Sequence, residues 1–260
     1  MENVEYLQGR FEIESESKRD GIDGWTFQFS SLSGHGICAF LAFLNSLCQV
    51  GNRKLSDYVD IKYDGTNYTV TFLKYDPAIW GTTTNSVTVS KSTIDAAQGV
   101  RGDIDTIIVA NALDQILKIN KDKGQTNAWG AQRYGVFARY FLGIAGESEK
   151  ADAPGYKIKD LTFEQITNLY NNYLAGNIKD LCCLGFSQNL KLGYIYNHDY
   201  TLKSIGTDPN GNGYLELINP WDDADCIRCS LEDLKKTNLE IFSHTSTAAD
   251  FEKYLSSVLS

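Results

Sequence analysis

Positions 37–50 read "ICAFLAFLNSLCQV", apolar on nearly every face of the helix they would form. A helix on a protein surface carries one apolar stripe, whereas one that is apolar all round must be enclosed by other protein. The rest of the chain therefore has to furnish a layer on each side of this central helix, and Gly51 is placed to stop it. A chain of 260 residues can do so as one large domain or as two of about 130 residues. Its 42% apolar and 22% charged residues, with only four prolines, describe a chain folded along its whole length.

The flanking segments divide by their periodicity. "DYVDIKYDGTNYTVTFLK" holds two alternating runs around a glycine-containing turn, and "SVTVS" follows, so this region reads as strands and a hairpin beside the central helix. Ile104, Ile108, Ala112 and Ile116 recur four apart, the spacing of a helix that buries one stripe. "NAWGAQRYGVFARYFLGIAG" reads as a further helical region, and the polar "ESEKADAPG" after it is the best linker, which places a boundary near Gly146 to Gly155. Beyond it, Thr162 and Gln165 form a capping box for a helix closed by Gly176. "LCCLGF", "LGYIYNHDYTLKSIG", "GYLELIN" and "LEIF" read as strands, with "TDPNGNG" as a turn, Ser230 and Asp233 capping a short helix, and "DFEKYLSSVL" as a last amphipathic segment. A helix-rich half (1–146) followed by a half rich in antiparallel strand (147–260) is an α+β pattern.

The net charge of −9 and isoelectric point near 4.9 repel phosphate backbones and anionic lipid heads, and no Lys/Arg run forms a local basic patch. Neither nucleic acid nor a membrane surface is expected as a partner. No run reaches the roughly 20 apolar residues of a membrane span, and the polar start "MENVEYLQGRFEIESESKRDG" lacks the apolar core of a secretory signal, so a cytoplasmic protein is expected. Of six cysteines, Cys182 and Cys183 are adjacent and Cys226 and Cys229 are close, which is not a disulfide framework; reduced thiols are expected. "CIRC" has no second pair to complete a zinc site, and no metal is expected. The acidic cluster Asp222, Asp223 and Asp225 reads as a solvated loop.

Cys38 stands at the start of the apolar helix, where unpaired backbone N–H groups and the helix dipole lower a thiol's pKa. Gly34 and Gly36 before it let the backbone turn and approach a substrate closely. These features alone leave Cys38 open to two readings, a nucleophile or an ordinary buried cysteine. A nucleophile needs a base, and the histidines are His35, His198 and His244. His198 lies 160 residues after Cys38, near the roughly 130–150 of papain-type enzymes. Asn219 follows 21 residues later, placed to orient the imidazole by accepting its Nδ1–H.

Three of these segments together resemble one family. "GICAFLAFLNSL" is similar to the nucleophile motif of the calpain-like cysteine proteases, in which glycine, any residue and cysteine lead into a Phe-Leu-Ala-rich helix ending Ser-Leu. "HDYTL" is similar to that family's His-Ala-Tyr-Ser-Val strand and "LELINPW" to its strand ending Asn-Pro-Trp, and the likeness spans residues 25–243. The resemblance implies a papain-like, two-lobed fold, hydrolysis of protein or peptide substrates through an acyl-enzyme, Cys38 as nucleophile, His198 as base, Asn219 as its orienting residue and Trp221 as a shield over the His–Asn hydrogen bond. Ala39 stands where the family has tryptophan, Asp222 where it has glycine, and Leu32 where a glutamine completes the oxyanion hole. Gln28, ten residues before Cys38, is our candidate for that donor, with His35 or a serine of the intervening loop as alternatives.

The same triad residues would also serve an amidase or acyltransferase, and a fold of this ancestry can persist as a non-catalytic binding module. No cofactor is expected. "DPNGNGYLELIN" matches the first six positions of a calcium loop, but its twelfth is Asn219 rather than glutamate and strands flank it, so it reads as a hairpin turn. Many calpains are activated by calcium through acidic loops; none is matched here, and calcium is not carried over.

Overall fold

Helix α1 runs Cys38–Leu44 and continues as π-helical turns over Asn45–Val50. The computed structural model describes residues 38–96, 104–120, 134–144, 155–185, 198–220 and 222–256, with backbone alone for Ile104, Tyr134 and residues 222–225. Every residue from Cys38 to Cys48 is buried. Phe40, Phe43, Leu44 and Leu47 join the core of the first half, while Ala42 packs with Cys182, Leu184 and Phe242 of the second. The helix thus has a layer on each side, as its composition requires. Gly51 does end it, but at φ −73° rather than in a left-handed turn. The reason for glycine is space, since a Cβ there would lie 2.5 Å from the Leu47 carbonyl oxygen and 2.7 Å from that of Ser46.

The first half places a three-stranded antiparallel meander against helices. Strands β1 (Val59–Tyr63), β2 (Asn67–Phe72) and β3 (Ser86–Ser90) pair in that order, with Gly65 at φ +97° in the first turn. Tyr68, Val70 and Phe72 of β2 point inward by strict alternation. Short helices α2 (Pro77–Trp80) and α3 (Lys91–Asp95) precede α4 (Ile104–Asn120), which buries Ile108, Ala112 and Ile116 as expected but also all the other residues from Asp105 to Ala110, so its first turns are enclosed on all faces and the expected single stripe is corrected. Helix α5 (Tyr134–Phe137), with its π-helical continuation Ala138–Leu142, closes this core by setting Phe137 and Phe141 against Phe40 and Phe43.

Among the described residues the second half forms a six-stranded antiparallel sheet flanked by helices. Its strands are β4 (Tyr156–Lys157), β5 (Cys182–Gly185), β6 (His198–Thr207), β7 (Gly213–Asn219), β8 (Asp222–Ser230) and β9 (Leu239–Phe242), in spatial order β4-β9-β5-β6-β7-β8. Helices α6 (Phe163–Leu174), α7 (Leu231–Leu234) and α8 (Ala248–Ser256) accompany it. The capping box of α6 is formed in both directions, Thr162 Oγ1 accepting from Gln165 N–H and Gln165 Oε1 from Thr162 N–H. Thr162→Ala should cost about 1 kcal/mol of stability, which a denaturant titration would read as an earlier midpoint at unchanged slope.

One expectation is corrected here. Asp222, Asp223 and Asp225 are strand, not loop: β8 pairs along β7 with Leu217 opposite Ile227 and Glu216 opposite Arg228. As an edge strand it tolerates polar side chains. On it, Cys226 and Cys229 fall three residues apart and so on opposite faces, one half-exposed and one buried, which no shared metal would fit. The "DPNG" segment is the expected hairpin turn, with Asp208 Oδ1 accepting from Asn210 N–H and Asn212 N–H and Gly211 at φ +83°.

Buried residues of the first core lie between 39 and 141, and those of the second between 158 and 255. The boundary expected near Gly146 to Gly155 falls in 145–154, outside the described residues. The two halves are tied through α1 and the turn after it: Thr201 Oγ1 donates to Ala42 O at 2.9 Å, Leu181 N–H to Ser46 Oγ at 2.7 Å, and Arg53 Nη1 to Lys179 O at 2.9 Å. Among the described residues no helix is long and apolar enough to cross a membrane.

Candidate active site

The N-terminus of α1 meets strand β6, and the alternation of β6 decides what Cys38 faces. Asp199 and Thr201 project toward α1, Thr201 bonding the Ala42 carbonyl and Asp199 Oδ2 accepting from Cys38 Sγ at 3.9 Å. His198, Tyr200 and Leu202 project to the other side; Tyr200 and Leu202 belong to the second core, and the His198 ring stands edge-on to Tyr200 with centroids 4.8 Å apart. The side chain that the strand aims at the thiol is therefore Asp199, while His198, the first residue of β6, turns toward β7.

There the structure brings two expected residues together. His198 Nε2 and Asn219 Oδ1 are 2.9 Å apart, with the two side chains 2% and 6% exposed. The expectation that Asn219 accepts from Nδ1 is corrected: it is Nε2–H that donates to the amide oxygen. Asn219 is delivered by a register shift at the end of β7, where pairing passes from Ile218 opposite Cys226 to Asn219 opposite Asp222. Burial pushes the His198 pKa down to about 4, opposed by the Asn219 hydrogen bond, which favours the charged ring.

The thiol is also neutral at rest. Helix-terminal N–H groups of Cys38 and Ala39, joined by that of Asp199, favour a thiolate, but burial and the Asp199 charge oppose it and push the pKa from 9.0 up to about 12. That rise is about 4 kcal/mol against the thiolate, more than the roughly 0.3–2 kcal/mol a helix terminus supplies. The expected lowering of the Cys38 pKa is overturned because the apolar helix that positions the sulfur also dries it, leaving Cys38 3% exposed. Trp221 and the oxyanion candidates Gln28, Leu32 and His35 lie outside the described residues.

Sequence reasoning missed a second buried pair behind the first. Asp180 Oδ2 accepts from His244 Nδ1 at 2.6 Å and from His244 N–H at 2.9 Å, and Oδ1 from the hydroxyls of Ser243 and Thr245, each at 2.8 Å. The His244 ring is set among Phe43, Phe137 and Phe242. Burial alone would raise the Asp180 pKa, but His244 and these donors outweigh it and hold the carboxyl below its ordinary range. Asp180, Cys182 and His244 offer ligand atoms within 4.8 Å of one another. The Asp180 oxygens, however, are already engaged by four donors, and Cys182 adds a weak fifth at 3.9 Å. Such a carboxylate is a buried structural acceptor that a metal would first have to strip. The only advance signal for it was a third histidine without a role.

All six cysteines carry thiols. Cys182 and Cys183 do point to opposite faces of β5, one toward α1 and one into the second core. No protein-family model matches the chain, and no curated protein matches it.

Proposed function

We propose that this chain is a calpain-like cysteine endopeptidase with a papain-like, two-lobed core, Cys38 on the first lobe and His198 with Asn219 on the second. The observation that carries the reading is the buried 2.9 Å hydrogen bond between His198 and Asn219, on the strand whose next residue touches the Cys38 sulfur. An amide that fixes one imidazole nitrogen presents the other as a base. In the proposed cycle His198, at the start of β6, turns Nδ1 to the thiol and takes its proton, and the thiolate attacks the peptide carbonyl. The Cys38 N–H and Gln28 hold the oxyanion, the imidazolium protonates the leaving amine, and water releases the acyl-enzyme. Burial disfavours both charges of the ion pair, so the neutral thiol and neutral ring belong to a resting state that lobe movement on substrate binding would relieve.

One observation favours a different reading. A thiol 3% exposed with its pKa pushed up to about 12 suits a non-catalytic binding module on the same fold. Labelling with an electrophilic peptide epoxide or chloromethyl ketone decides between them. The peptidase reading expects modification of Cys38 in the wild type, loss in Cys38→Ala and loss in His198→Ala. It is abandoned if Cys38 stays unmodified at neutral pH while other thiols react.

A further inference from the structure

We propose that Cys38 and Asp199 form a buried acid pair whose two protons leave in separate steps and which shares the single proton that remains after the first, so that the charge on Asp199 governs whether Cys38 is a thiol or a thiolate. The inference goes beyond the peptidase reading and does not rest on it. The His-Ala-Tyr-Ser-Val strand that "HDYTL" resembles has alanine where this chain has Asp199, so the pair is a property of this sequence.

Three features of the geometry carry it. Asp199 is 0% exposed. Its Oδ2 is bonded to Cys38 Sγ at 3.9 Å, and its Oδ1 has no hydrogen-bond partner among the described residues. A buried carboxylate is ordinarily held by several donors, as Asp180 is on the same side of the sheet by four, whereas Asp199 has one weak donor and an orphaned oxygen. Such a group keeps its proton longer than an ordinary acid and shares it with the nearest partner. The groups around it do not change that sign. Cys38 faces it from α1, Cys182 and Cys183 of β5 are neutral thiols whose pKa its charge raises, and His244, itself held by Asp180, reaches it from the segment after β9, with His198 beside it on β6. His244 and the Cys38 S–H favour the carboxylate, but burial outweighs them and raises Asp199 to about 7.

The pair then has three charge states. With both protons it is neutral. Loss of one leaves a single negative charge, and the remaining proton passes from Sγ to Oδ2 as the S–H bond breaks and the O–H bond forms, without net charge leaving the pair. Loss of the second is opposed first by burial of the sulfur and then by the Asp199 charge beside it, which together push the thiol step up to about 12. Between those steps the thiolate is present as a constant minor fraction that donates nothing to solvent, and Cys38 reactivity is flat with pH. Each apparent value belongs to the pair and not to one residue.

The test is a pH titration by NMR of protein carrying carbon-13 at cysteine Cβ and aspartate carboxyl positions, in the wild type, Asp199→Asn and Cys38→Ala. The Asp199 carboxyl and Cys38 Cβ resonances of the wild type should move together with a common midpoint at about 7, with no second cysteine step below about pH 10. In Asp199→Asn the shared step should vanish and the thiol titration should fall by at least one pH unit, about tenfold in acid constant. In Cys38→Ala, which removes the S–H donor, Asp199 should titrate higher still. An Asp199 that titrates below about pH 5 in the wild type, or a Cys38 titration unmoved by Asp199→Asn, overturns the pair. If Asp199→Asn does not fold, the coincidence or separation of the two wild-type midpoints decides alone. Peptide probes that fail to label Cys38 while these resonances behave as stated would remove the peptidase reading and leave the pair standing.

Discussion

Asp180→Ala is expected to cost the fold about 3–5 kcal/mol, because removing one member of a buried, hydrogen-bonded pair leaves the other without compensation. His244 would lose the acceptor of both its ring Nδ1 and its backbone N–H, and Ser243 and Thr245 would lose the acceptor of their hydroxyls. All of this lies at the end of β9 against α1, where no water can replace the carboxylate, both side chains being 0% exposed. A fall in Tm of roughly 6–20 °C follows at about 2–4 °C per kcal/mol. The comparison is Arg228→Ala. Its ion pair with Glu216 is short at 2.5 Å, but the arginine side chain is 62% exposed, and the change should stay within about 1 kcal/mol. The sign with pH also follows. Asp180 has its carboxyl held below the ordinary 3.8, so its contribution is complete above that value and is lost as pH falls through the lower folded one. The gap in thermal melts between wild type and Asp180→Ala should therefore be full at neutral pH and close as the pH falls into the acid range. Equal melting of Asp180→Ala and Arg228→Ala at neutral pH would show that the pair does not stabilise the fold.

What was legible in the chain beforehand is what local signals can encode. An all-round apolar helix has to be buried, and α1 is; a Thr and a Gln three apart cap a helix, and Thr162 and Gln165 do. The β1–β2 hairpin is likewise written in a period of two, whereas the period of four in α4 caught Ile108, Ala112 and Ile116 and missed that Asp105 to Ala110 are buried throughout. Strand β8 was not, because its first residues are acidic and its strand character comes from the partner: cross-strand matches such as Glu216 with Arg228 need β7 to be in place first. The Asp180–His244 pair spans 64 residues and no period announces it. Asp199 could have been suspected. It sits in "HDYTL", where residues on both sides read as buried, and a strand buried on both faces has no solvent for an aspartate. Its presence was absorbed by the motif around it, and the alternation that carries His198 toward Asn219 is what delivers Asp199 to the sulfur.

The same alternation makes the activity prediction discriminating. On the peptidase reading, His198→Ala should lower kcat/KM by about 10²–10⁴-fold, the range of a general base, while Asn219→Ala should lose less and lose it in kcat rather than KM, since the imidazole remains but is no longer oriented. The ring itself reports why. Asn219 favours the charged imidazole, and without it the His198 pKa should fall below its present value of about 4. Asn219→Asp would put a carboxylate at Nε2 and favour the imidazolium, raising that pKa by at least about one pH unit. An imidazole NMR titration that moves down in Asn219→Ala and up in Asn219→Asp, with turnover reduced in His198→Ala, fits a base held by an amide. If the titration moves in both variants and His198→Ala turns over substrate as the wild type does, the hydrogen bond is a clamp between β6 and β7, and the proton of Cys38 would have Asp199 as its acceptor instead.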